Sequence, residues 1–189
     1  MALAASAGGG AVGGTTGSAA MSAAESAVVR NVQSNLSKAK RDVRRGKPGQ
    51  AWRRLGLRKG ANNTLDAVEC ASLSFGEVQD FFARHPCRSM RRVQFPVSYE
   101  GGRIWVLVSE VRMRSASEAR RFTALIDRHG TGDTRPVLPT VEFTGHNYDS
   151  DQQRRTVFVA ESEPASGAAP EQLLEATAKA AAELAPRVT

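Results

Sequence analysis

Two apolar runs joined by a glycine-rich tetrapeptide constrain the fold of this chain more than any other feature. Val93, Phe95, Val97 and Tyr99 stand at every second position. Strand side chains alternate between faces, so this period buries one face of a strand. Glu100-Gly101-Gly102-Arg103 then supplies a tight turn. Ile104 to Val108 is continuously apolar, and Val111 and Met113 extend the run. An unbroken apolar run reads as a central strand covered on both sides. The two segments therefore form a hairpin. Pro96 removes one N–H from the first strand, which argues that this strand lies at a sheet edge.

Helical signals flank the hairpin. Ser74 and Glu77 have the spacing of a capping box, and Val78, Phe81, Phe82 and His85 follow on one face before Pro86 stops the helix. Ser115 and Glu118 repeat the box ahead of Ala119, Phe122, Leu125 and Ile126, with Gly130 just past the end. Val141 and Phe143, then Val157 and Val159, alternate in two further short strands separated by a polar connection from Gly145 to Arg154. Pro170 suits a first helical position, and an Ala-rich helix runs to about Ala185. The order is α-β-β-α-β-β-α. The expected fold is α+β: a four-stranded antiparallel sheet with helices packed on one face, preceded by a basic helical arm.

That arm carries the charge. Residues 30–59 contain eleven of the 26 basic residues and a single acid, Asp42, for a net +10. The remainder holds fifteen basic and eighteen acidic residues, a net −3, so the overall +7 comes from one block. Val28, Val32, Leu36, Ala39 and Val43 recur within it at steps of four and three, as on one helical stripe, and Ser22 with Glu25 makes a capping box at its start. Gly46 and Pro48 end this helix, and a Gly/Arg-rich joint with Trp52 beside Arg53 and Arg54 follows. Three domains are expected: a disordered Ala/Gly/Ser-rich tail at 1–21, the basic amphipathic helix and joint at 22–64, and an α+β domain at 65–189. The arm reads as detachable.

No catalytic constellation emerges. G-x-S-x-G, P-loop, dinucleotide-binding and H-E-x-x-H patterns are all missing from the chain. Asp149/Asp151 and Glu161/Glu163 lack the other ligands of a calcium loop. Cys70, His85 and Cys87 could seed a zinc site, but no fourth ligand stands at finger-like spacing. His129 ends a helix, where the dipole alone favours it. His146 lies in Gly145-His146-Asn147-Tyr148-Asp149, the loop most like a small site. Neither an enzyme activity, a cofactor nor a metal is expected. Cys70 and Cys87 admit a disulfide, buried free thiols, or a metal or catalytic role. No run of 18 apolar residues exists and the N-terminus lacks a secretory signature, which favours the cytoplasm. A Cys70–Cys87 bridge would favour an extracytoplasmic compartment instead.

The stretch Phe81-Phe82-Ala83-Arg84-His85-Pro86-Cys87-Arg88-Ser89 resembles an F-F-x-x-H-P-C-R-S segment of small, uncharacterised actinobacterial proteins. The resemblance spans roughly residues 65–162 and leaves out the basic arm. It implies no assigned activity. It implies that an upstream cysteine, here Cys70, brackets the same helix as Cys87, which favours a pairing of the two.

The expected function is a non-enzymatic interaction domain, with nucleic-acid binding through residues 30–59 as the alternative. Candidate polyanion-binding residues are Lys38, Lys40, Arg41, Arg44, Arg45, Lys47, Arg53, Arg54, Arg58 and Lys59, with Trp52 stacking on a base. An anionic membrane surface or an acidic protein would suit the same arm.

Overall fold

The computed structural model describes residues 20–185. The expectation of a disordered tail at 1–21 therefore lies almost wholly outside the described residues. The elements run α1 (Ala23–Arg44), α2 (Pro48–Arg54), β1 (Arg58–Lys59), β2 (Asn63–Ala67), a 3-10 turn (Ala71–Leu73), α3 (Gly76–Arg84), β3 (Ser89–Tyr99), β4 (Gly102–Arg112), α4 (Ala116–Ile126), β5 (Tyr148–Gln153), β6 (Thr156–Pro164) and α5 (Glu171–Leu184). The α+β class stands, with an antiparallel sheet of six strands rather than four.

The hairpin forms as read. β3 and β4 pair over their whole length, closing at Tyr99 opposite Gly102. The sheet order is β1-β3-β4-β6-β5, with β2 also on the outer side of β3. β3 is therefore internal, and the edge position inferred from Pro96 is corrected. The physics behind that inference still operates. The Pro96 carbonyl points outward and accepts from Gly60 N–H at 2.8 Å. In an antiparallel strand the N–H and C=O of one residue point the same way, so the missing N–H also faces outward. At that point the outer neighbour is broken into β1, which pairs at Val97 and Ser98, and β2, which pairs from Met90 to Gln94.

Two strand expectations fail at the far edge. Val141 and Phe143 lie in irregular chain, whereas β5 forms within the supposed polar connection. Its sequence, YDSDQQ, carries no alternation because it is half-exposed along its length. Backbone pairing with β6 makes it a strand. Capping boxes at Ser22/Glu25 and Ser115/Glu118 are both closed. That at Ser74/Glu77 is not: α3 starts one residue later, behind Phe75, and the Ser74 hydroxyl donates to the Cys70 carbonyl at 2.9 Å.

Helices cover both faces of the sheet, which corrects the expectation of one. Val93, Phe95, Val97, Ile104, Val106, Val108, Phe158 and Ala160 pack in one cluster with α1, α2 and α5. Met90, Val111, Met113, Val157 and Val159 are out of phase with those positions and pack with the 3-10 turn, α3 and α4. The stripe of α1 is the second correction. Val28, Val32, Leu36, Ala39 and Val43 are all buried against this sheet and α5. The basic helix is therefore a core element rather than a detachable arm, and the expected boundary at Leu65 falls inside β2. Cys70 and Cys87 are disulfide-bonded, with Cα atoms 6.1 Å apart, and tie the 3-10 turn to the end of α3. No helix among the described residues is long and apolar enough to cross a membrane.

Candidate functional site

Two places gather unusual chemistry, one on each face of the sheet. The first is the corner between α1 and α2. Gly46 turns the chain at φ 72, a left-handed conformation that glycine adopts without strain, and Pro48 opens α2. Arg41, Arg44, Arg45, Lys47 and Arg53 are exposed around this turn. None of them forms an ion pair among the described residues. Arg41 and Arg45 are four apart and Arg41 and Arg44 three apart, so like charges share a face and repel. The negative end of the α1 dipole offsets part of that repulsion.

Three other candidate cations, Arg54, Lys40 and Lys59, are committed elsewhere. Asp42, the block's one acid, is buried and accepts from Arg54 Nε at 2.6 Å. That hydrogen bond holds its carboxyl below the usual range. Lys40 pairs with Glu183 of α5 at 2.7 Å. Lys59 sits 4.2 Å above the centre of the Phe95 ring, and burial lowers its ammonium to about 8. Lys38 and Arg58 are exposed beyond the corner. Trp52 is not available to a base: it is 1% exposed and meets the Phe95 ring edge-on at 5.8 Å. The stacking role expected for it is corrected, because its ring closes the core beneath α2.

The second place is a cleft of about 400 Å³ on the opposite face. It lies between the 3-10 side of α3, the end of α4, the chain from 130 to 147, and β5 with β6. Two buried carboxyls form its floor. Asp133 and Glu161 hydrogen-bond one another, and both are pushed upward, Asp133 to about 6 and Glu161 well above the ordinary range. Burial is the main cause for each, and for Glu161 the neighbouring Asp133 charge adds to it. Glu161 is the deeper of the two, at 3% exposed against 9%, and the two carboxyls titrate as a pair. Thr134 N–H donates to Asp133 at 2.6 Å, and Gly145 N–H donates to Glu161.

The surrounding chain is held by the sheet. Arg92 and Gln94 project from β3 on this face. The Arg92 guanidinium donates to the Pro136 carbonyl at 3.4 Å and, more closely, to that of Arg135, and Gln94 Oε1 accepts from Val137 and Leu138 N–H at 3.0 and 2.9 Å. Thr144 N–H donates to Glu163 at 2.9 Å. Gly76 and Gly132 allow the chain after α4 to touch the start of α3. Both have positive φ, a Cβ on Gly76 would lie 2.8 Å from the Thr131 carbonyl, and one on Gly132 would overlap that of Phe75. Phe75, Phe143, Tyr148, His129 and His146 line the walls. The Tyr148 phenol is pushed up by burial first and then by the Asp127, Asp133 and Asp149 carboxylates.

His146, singled out from sequence, thus reaches the cleft together with His129, whose ring meets Tyr148 edge-on at 5.4 Å. His85 does not: it caps α3 and packs on Phe81. Sequence reasoning missed the Asp133–Glu161 pair. Its signal was present for Glu161, which continues the two-residue period of Val157 and Val159 and therefore lies on a buried face. Asp133 lies in irregular chain with no period to reveal it. No group of three or more metal-ligating side chains occurs among the described residues. Comparison with known families, curated proteins and solved structures found no match to this chain.

Proposed function

We propose that the protein is a non-enzymatic interaction domain whose α1–α2 corner binds the phosphates of a nucleic-acid backbone. The observation that supports this reading is the set Arg41, Arg44, Arg45, Lys47 and Arg53, exposed and without ion pairs among the described residues at the α1–α2 corner, whose inner side is buried in the core. Cations on an anchored backbone lose less freedom on binding than cations on a flexible arm. With Trp52 buried, recognition rests on charge and is independent of base sequence.

The test is fluorescence anisotropy of a random-sequence duplex titrated with the full chain across a range of salt. Neutralising about five phosphates gives a log–log slope near −4.5. Replacing the five cations by Ala flattens that slope. A duplex left unbound at low salt, or bound equally by the variant, overturns the reading.

The disulfide favours a second reading. Such bridges persist in oxidising compartments, away from most nucleic acid, and there the same cations would suit an anionic membrane surface. Its adhesion would be electrostatic only, because the apolar stripe of α1 faces the core. Binding to anionic vesicles without binding to the duplex selects it.

A further inference from the structure

The cleft on the face away from the basic corner has a composition that points to a ligand. Its volume, about 400 Å³, lies in the range of small-molecule sites. Its floor is a carboxyl pair of which Glu161 is 97% removed from solvent, at 3% exposed. No Lys, Arg or His side chain forms an ion pair with either carboxyl among the described residues. A buried charge without a counter-charge is costly, and protein interiors ordinarily neutralise it. Among the described residues that line the cleft the one permanent cation, Arg128, pairs with Glu77 at 3.0 Å, and Arg135 lies 6.0 Å over the Phe75 ring, so Phe143 and Tyr148 are the rings without a cation. The walls are aromatic: Phe75, Phe143, Tyr148 and His129. Phe75 is one of few large apolar side chains left exposed, at 41%. Aromatic faces around an acidic floor attract a cation through both ring quadrupole and charge. The negative field extends past the floor, since Asp127 and Asp149 also act on Tyr148.

We infer that this cleft binds a small organic cation, a protonated or quaternary amine, whose ammonium group sits on the Asp133–Glu161 carboxyls beside the rings of Phe143 and Tyr148. The site is independent of the basic corner and opposite to it in charge.

The test uses the full chain and two probes: choline, and 3,3-dimethylbutan-1-ol, its uncharged counterpart of nearly equal shape. Calorimetric titration of choline gives saturable binding, and choline raises the thermal midpoint while the alcohol does neither. Repeating the titration in buffers of different ionisation enthalpy shows proton release, because the ammonium displaces the proton shared by the pair. The double variant Asp133→Asn/Glu161→Gln weakens choline binding by at least about tenfold, the effect of losing one charged contact. Where that variant fails to fold, Glu161→Gln alone and Phe143→Ala supply the same comparison. Replacing the five corner cations leaves choline binding unchanged. Equal binding of the alcohol, equal binding by the folded variants, or no heat and no thermal shift with choline at about 10 mM, roughly tenfold above a weak Kd of about 1 mM, overturns the inference.

Discussion

The two faces of the sheet are covered by different means, and the difference explains where chemistry collects. On one face, three helices lay alanine, valine and leucine on a dry surface centred on Phe95 and Val106. Their charges are pushed to the rim, as at Arg41, Arg44 and Arg45. On the other face, short helices and a disulfide cover only the end near Met90 and Val111. The rest is covered by irregular chain at 130–147. Irregular chain leaves N–H, C=O and hydroxyl groups without ladder partners, so the strand residues beneath it are polar: Arg92 donates to carbonyls, Gln94, Glu161 and Glu163 accept from N–H groups, and Ser109 bonds the Thr134 hydroxyl. Loops also pack less completely than helices, which leaves a cleft there. A dry face carries stability and displays charge outward, whereas a polar face confines charge inside.

The strongest way to break this contrast is to remove the dry face's cover. A chain beginning at Leu65 lacks α1, α2 and β1 and leaves the Phe95 side of the sheet open. The expected outcome is loss of a cooperative thermal transition by circular dichroism. A sharp transition for that chain would restore the detachable arm and undo the contrast.

On the polar face the disulfide substitutes for apolar burial. Replacing Cys70 and Cys87 by Ser opens a loop whose closure contributes about 3 kcal/mol for a span of this size. Urea unfolding should report most of that loss, and reductant should reproduce it on the native protein. A loss below about 1 kcal/mol would mean that the α3–α4 cluster holds this face unaided.

Proton linkage distinguishes the faces next. On the polar face Asp133 and Glu161 are raised in the folded state, Asp133 to about 6. A carboxyl raised by folding stabilises fully below its unfolded value and loses that contribution as pH rises through its folded value. Unfolding free energy should therefore fall between about pH 4.5 and 7, by an amount on the order of 2 kcal/mol. Glu161→Gln, which keeps a neutral group on the floor, should flatten that slope. A flat profile in the native protein would show that the pair is not held in a dry site.

The smallest stability effect belongs to the corner. Substituting its five exposed cations should change unfolding free energy by no more than about 0.5 kcal/mol, as surface changes usually do, while removing the duplex affinity proposed for this corner. Marked destabilisation would mean that the cations serve the α1 terminus rather than a partner.

Some of this was legible in advance because it is local. The hairpin follows from alternation and a Gly-Gly turn, and the Ser22 and Ser115 caps follow from three-residue spacing, since each involves neighbours in the chain. The period of α1 was legible too, but a stripe states only that something covers it. That α5, over a hundred residues later, does so depends on packing, as does the burial of Trp52. β5 has no pattern because its strand character comes from β6.

The sequence by itself determined the elements whose cause is local: turn chemistry, capping, and the two-residue and helical periods of residues buried on one side. Only the tertiary structure decided which surfaces meet. It turned a basic arm into a core helix with a charged rim, paired Cys70 with Cys87, and brought Asp133 to Glu161 across 28 residues of chain. Those outcomes depend on burial and on contacts distant in sequence, and no local spacing encodes them.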